Sequence, residues 1–150
     1  NKGEPYLIEY NIRMGDPECQ VLMMRLETDL LEIIDRATKN KINNLKIEWN
    51  KKSSITIVLC AKGYPYNYIK DSEIKNLSNV LTDKNNQIFH AGTYEKNNKT
   101  YSSGGRVLNI TSSSENLAEA RSRSLTNINK INWPDGFFRK DIGWRVIDNK

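Results

Sequence analysis

The sequence predicts an α+β fold, short antiparallel strands flanked by helices, and three observations carry that prediction. Apolar residues recur at three- and four-residue steps over two stretches, Glu18 to about Asn40 and Ser112 to about Ile131. Before and between them lie short β-branched or alternating runs bounded by Gly, Pro, Asn and Asp. The 150 residues, 37% hydrophobic, suffice for one core or a segment of a larger one, with no internal repeat and no low-complexity segment.

In chain order, Tyr6 to Arg13 reads as a strand, with Ile8, Tyr10 and Ile12 on one parity and Glu9, Asn11 and Arg13 on the other. Met14 to Pro17 is a turn, and Asp16-Pro17 reads as a helix start, Asp at the N-cap and Pro at the first helical position. One long helix is expected from Glu18 to about Asn40, carried by Val21, Leu22, Leu26, Leu30, Ile33, Ile34 and Ala37. A polar loop at Asn40–Asn44 marks a boundary, followed by strands at Leu45–Trp49 and Ile55–Ala61. Residues 71–86 read as loop, Gln87–Thr93 as strand, Asn97–Thr100 as a hairpin turn and Arg106–Thr111 as strand. The second helix turns Leu117, Ala120, Ser124, Leu125 and Ile128 inward, with Ser112 and Glu115 as a capping box.

Composition narrows the function classes. No apolar run approaches a membrane span of ~18 residues, and no signal segment precedes the first strand. Because position 1 is Asn, we expect the numbering to begin inside a longer, cytoplasmic protein. Cys19 and Cys60 sit among apolar neighbours and read as reduced, mostly buried thiols. The net charge is +5, but its lysines are scattered among Asn and Ile without interleaved aromatics. A nucleic-acid groove is therefore disfavoured against a solvated basic surface, and anionic small substrates stay compatible.

The stretch with chemical content is Glu9 to Glu18. Glu9, Asn11 and Arg13 form one polar stripe at roughly 7 Å spacing. A carboxylate and an amide oxygen suit a hard cation beside phosphates, and a guanidinium suits a phosphate or carboxylate oxygen. The helix start after Asp16 would add backbone donors. On alternation alone the stripe reads more simply as the solvent face of a half-buried strand, with Arg13 paired to Glu9 or Glu18.

The string Glu-Tyr-Asn-Ile-Arg-Met-Gly-Asp-Pro-Glu-Cys-Gln, residues 9–20, resembles the signature of the phosphoribosylamine–glycine ligases, or glycinamide ribonucleotide synthetases, of the ATP-grasp superfamily. Further stretches resemble family motifs in family order: Ala61–Pro65, Phe89–Thr93, Ser103–Leu108 and Phe138–Arg145. Tyr10, Met14, Tyr66 and Asn109 depart from the usual Phe, Phe, Gly and Gly, and none removes a polar group.

That resemblance implies an enzyme using ATP, glycine and 5-phosphoribosylamine, with residues 1–40 ending an ATP-grasp lobe. Residues 41–150 would form a small antiparallel-sheet domain similar to the C-terminal domain of biotin carboxylase. By the same carry-over Glu9 and Asn11 are expected to hold Mg²⁺ or Mn²⁺, and Arg13 to contact the transferring phosphoryl group. Gly15, Asp16 and Pro17 would shape the glycine site, and Gly105 and Arg106 would contact the ribose phosphate. From the residues themselves, the run 102–105 is either an anion nest of backbone N–H groups or a hairpin turn beside a surface arginine. His90 reads as structural. The tail is expected to dock onto the preceding lobe, with Asp141 in an interior salt bridge to Arg139 or Arg145. The rivals are another ATP-grasp ligase and a non-enzymatic basic binding module.

Overall fold

The alternating run from Arg106 onward forms the centre of the molecule, and the other elements are arranged about it. The computed structural model describes residues 3–80 and 83–147. Its helices are α1 (Cys19–Arg25), α2 (Leu30–Thr38), α3 (Leu117–Ile128) and α4 (Trp144–Ile147). Its strands are β1 (Ser53–Ala61), β2 (Glu73–Ile74), β3 (Asn86–His90), β4 (Thr93–Lys96), β5 (Lys99–Ser102), β6 (Arg106–Ser114) and β7 (Gly136–Phe138). One antiparallel sheet has the order β3-β6-β1-β7, and a smaller one the order β2-β5-β4.

Period-two alternation sorts β6 into two rows. Leu108 and Ile110 stand opposite Leu59 and Ile57 on one side, and Ile88 flanks Ile110 on the other. These residues, with Val80, Val107, Ile128 and Trp133, belong to one buried cluster. Each such aliphatic side chain stabilises the fold by about 1.5–3 kcal/mol relative to exposure. The other row is largely polar, and its hydroxyls find one another: Thr111 Oγ1 bonds Thr56 Oγ1 at 2.8 Å, and Ser113 Oγ lies 2.7 Å from Ser54 Oγ. Asn109 breaks this rule, because it is 1% exposed and neither atom of its amide has a partner. Both α1 and α3 pack on the central pair β1 and β6.

Several expectations are corrected. Residues 6–13 form no strand: among the described residues no segment pairs with them, the chain bends at residues 12 and 13, and Ile8 and Ile12 are 94% and 102% exposed. The long helix is two. After Leu26 the backbone turns extended and bridges Trp49, and Asp29 caps α2 by accepting from Leu31 N at 2.7 Å. Asp16 is not the cap of α1: Glu18 occupies that position, and Glu18 N and Cys19 N both donate to Gly15 O at 2.9 and 2.8 Å. The strand expected at 45–49 reduces to the Trp49 bridge, behind a 3-10 turn at Ile42–Asn44. The loop expected at 71–86 contains β2 and a 3-10 turn, and its residues 81 and 82 lie outside the described residues.

Ser112 is buried inside β6 and donates to Asn86 Oδ1 at 2.8 Å, so it caps nothing. Asn116 caps α3 instead, accepting from Glu119 N at 2.9 Å, because pairing with β1 carries the strand on to Ser114. The inward residues hold: Ala120, Ser124 and Ile128 are buried, with Asn127 added. The hairpin also holds, with Asn97 and Asn98 both at positive φ, 52° and 58°, between β4 and β5. That is the left-handed pair a two-residue turn requires, and Asn tolerates it.

Two substitutions in β6 test this account with opposite signs. Ile110→Ala should lower the unfolding free energy by about 2–5 kcal/mol. Asn109→Val, which removes an unsatisfied buried amide costing about 1–3 kcal/mol, should raise it. Urea unfolding midpoints read both.

Candidate functional site

All of the expected site residues except Gly105 converge on one groove, although the strand meant to present them does not form. A groove of about 380 Å³ is lined by Glu9, Asn11, Arg13, Gly15, Asp16, Pro17, Glu18 and Arg106. Glu9 and Asn11 meet directly, Asn11 Nδ2 donating to Glu9 Oε1 at 2.8 Å. Arg13 pairs with neither Glu9 nor Glu18; its Nη1 donates to Met14 O at 2.7 Å.

Asp16 is the most engaged residue of the groove. Its Oδ2 lies 3.1 Å from Arg106 Nη2, its carbonyl accepts from Arg106 Nη1 at 3.1 Å, and its Oδ1 accepts from Gln20 Nε2 at 3.0 Å. Arg106 therefore grips both side chain and main chain of a residue 90 positions earlier. Charge-assisted bonds of this kind are short and directional. Here both partners are partly exposed, at 42% and 38%, so the pair is weak as a source of stability.

Arg106 is mounted by the loop before it. Gly92 and Gly104 cross so closely that a Cβ on Gly92 would lie 2.6 Å from Gly104 Cα. Ser103 N and Gly104 N donate to Gly92 O at 2.8 and 3.3 Å, and Ser102 N donates to Ser72 O at 2.9 Å. Three of the four N–H groups that an anion nest would use are thus already spent. Gly105 is buried rather than facing the groove; a Cβ there would fall on the Tyr64 ring, and its carbonyl accepts from Ala61 N at 2.9 Å. The loop is a rigid mount for Arg106.

Three carboxylates, Glu9, Asp16 and Glu18, face two guanidiniums, Arg13 and Arg106, around the groove. Among the described residues no group of three or more His, Cys, Asp or Glu could hold a metal ion. A divalent cation here would have to take its remaining oxygens from phosphate and water, which is how Mg²⁺ is usually held. Glu9 and Asn11 carry two oxygens of that partial set, and Asn11 would have to turn its amide nitrogen away from Glu9 Oε1 to offer its own. Gln20 was not singled out from the sequence, although it lies in the same string, and its bond to Asp16 Oδ1 marks it; Glu18, expected only as a partner for Arg13, lines the groove instead.

Other expectations resolve away from the groove. His90 Nδ1 lies 2.9 Å from Thr93 Oγ1, a contact within the turn joining β3 and β4. Burial pushes the Cys60 thiol up, with Arg106 pulling it partly back, and both cysteines are free thiols. Arg139 does pair with Asp141, at 2.6 Å, but on the surface rather than in the interior. The Arg139 hydrogen bond, ahead of its charge, holds the Asp141 carboxyl below its ordinary value. Arg121 anchors the tail by donating to Ile142 O at 2.8 Å and to Lys140 O. A larger cavity of about 540 Å³, between Arg25, Ser53 and the start of α3, contains none of the expected site residues.

Comparison with known proteins places this geometry among relatives. Residues 54–145 match the family model described as phosphoribosylglycinamide synthetase, C domain. The phosphoribosylamine–glycine ligase of Brucella melitensis is 44% identical over 146 residues, covering 97% of this chain and 34% of its own length. The chloroplastic enzyme of that name from Arabidopsis thaliana is 45% identical over 150 residues, covering 99% of this chain and 28% of its own. A crystal structure of phosphoribosylamine–glycine ligase from Thermotoga maritima superposes with a TM-score of 0.69 at 32% identity, over 93% of this chain and 34% of that one. The chain thus spans about a third of the length of the relatives it matches.

The packing role of Gly105 is directly testable. Gly105→Ala should overpack the Tyr64 ring and lower the unfolding free energy by about 1–3 kcal/mol, read by thermal or urea unfolding.

Proposed function

Because the chain belongs to the phosphoribosylglycinamide synthetase C-domain family, we propose that it is part of a ligase joining glycine to 5-phosphoribosylamine with ATP. The observation that carries this reading is the groove, where residues from the 9–18 string and from β6 meet around one mixed-charge surface. The reaction runs in two steps. The glycine carboxylate takes the γ-phosphoryl group and ADP leaves; the phosphoribosylamine nitrogen then attacks the glycyl carbonyl, loses a proton, and phosphate leaves. The product is glycinamide ribonucleotide, a step of purine synthesis.

The obstacle is the approach of two anions, so the work is positioning and electrostatic stabilisation without a protein nucleophile. Arg13 meets the phosphoryl group as it passes to the carboxylate, its fork matching two oxygens. Asp16, with Gly15 and Pro17 shaping the turn, receives the glycine ammonium. Arg106, on its Gly105 mount, receives the ribose phosphate. Glu9 and Asn11 hold a divalent cation, Mg²⁺ or Mn²⁺, which supplies charge neutralisation between the phosphates and the carboxylate.

We assign residues 1–40 to the end of the ATP-grasp lobe and 41–150 to the C-terminal domain. The exposed Tyr6, Ile8, Tyr10 and Ile12 support contact with the remaining domains of the same enzyme. On this reading the 150 residues alone do not catalyse ligation. No helix among the described residues is long and apolar enough to cross a membrane. We place the enzyme in the cytoplasm, although the Arabidopsis relative is chloroplastic by name.

ADP release by the full-length protein tests the reading. Release should require both glycine and phosphoribosylamine, and Glu9→Ala should lower it at least about 10²-fold. Release indifferent to glycine would overturn the substrate assignment.

A further inference from the structure

We propose that the Asp16–Arg106 pair is a latch that couples the binding of the two substrates, so that either one, once bound, strengthens the binding of the other. The inference rests on the assignment of Asp16 to the glycine ammonium and Arg106 to the ribose phosphate. It adds what the geometry between them implies. Both Nη atoms of Arg106 are committed to Asp16, one to the side chain and one to the carbonyl, at 3.1 Å each. A phosphate that takes the Nη1–Nη2 face of that guanidinium displaces Asp16. An ammonium that takes the place of Arg106 Nη2 on Asp16 Oδ2 breaks the ion pair in turn.

The groove therefore holds each substrate's counter-charge already neutralised by the other's. The first ligand to arrive breaks the pair, and the second then finds its partner released. Coupling of this kind is positive and reciprocal, and its size is the free energy of the contact broken. For a pair with side chains 42% and 38% exposed, that contact is worth no more than an exposed ion pair. The expected coupling is about two- to fivefold in dissociation constant. Gln20 keeps Asp16 aimed into the groove through its Oδ1, so Asp16→Asn retains that contact while losing the charge.

The test uses the full-length ligase and ribose 5-phosphate as an unreactive phosphate probe, titrated by calorimetry with and without saturating glycine. In the wild type glycine should tighten ribose 5-phosphate about two- to fivefold. Asp16→Asn should bind the probe that tightly without glycine and respond no further to it. Glu18→Gln, which removes another groove carboxylate that makes no bond to Arg106, should keep the glycine response. If Asp16→Asn weakens or leaves unchanged the affinity for the probe while Arg106→Gln abolishes binding, the latch is wrong and the phosphate assignment stands. If Arg106→Gln binds the probe as the wild type does, the phosphate assignment fails and the latch falls with it.

Discussion

Strand β6 is paired along both edges, to β1 and to β3, and eight of its nine residues are buried. A strand in that position can shift neither register nor face without turning an aliphatic row into a polar one. Ile57, Ile110 and Ile88 stand side by side across three strands, and the Thr and Ser hydroxyls on the other parity satisfy one another. The helices α1 and α3 then settle on a surface whose chemistry is already decided. Even the start of α3 obeys this constraint, since the strand ends only where Ser53 finishes pairing with Ser114.

Arg106 is the first residue of that strand, and it is the one exposed side chain of the nine. Its position is inherited from the strand behind it and from the crossing of Gly92 with Gly104 ahead of it. The Tyr64 ring closes over Gly105 and leaves the loop little freedom. A flexible guanidinium is thus delivered from a fixed point, which lowers the entropy lost in any contact it makes. The segment it reaches, residues 9–18, has no such support beyond the turn closed by Gly15 and the bond from Gln20. One wall of the groove is rigid, and the other is held mainly by contact with it.

Much of this was legible in the residues, for identifiable reasons. The rows of β1 and β6 follow period-two alternation, and the Asn97-Asn98 turn follows from the tolerance of Asn for positive φ. Glu9, Asn11, Arg13 and Asp16 were drawn together by the resemblance of their string to a family signature, since alternation alone favoured a solvent face. The break between α1 and α2 was hidden because Leu26 and Leu30 keep a four-residue step straight across it. Two consecutive capping signatures, Ser112 with Glu115 and Asn116 with Glu119, compete before α3, and only pairing with β1 chooses between them. The nest of N–H groups failed for a similar reason: whether a donor is free depends on a carbonyl, that of Gly92, brought in by the β3–β4 turn. That Arg106 reaches Asp16 is tertiary information, absent from any local pattern.

The family match begins at residue 54, between the two halves of the groove. Asp16 lies before that boundary and Arg106 after it, so the matched stretch holds only part of the groove. A recombination event that exchanged everything from residue 54 onward would carry a complete sheet and an intact core into its new host. It would also carry an arginine without the carboxylate that it grips, and a sheet without the α1 that packs on β1 and β6.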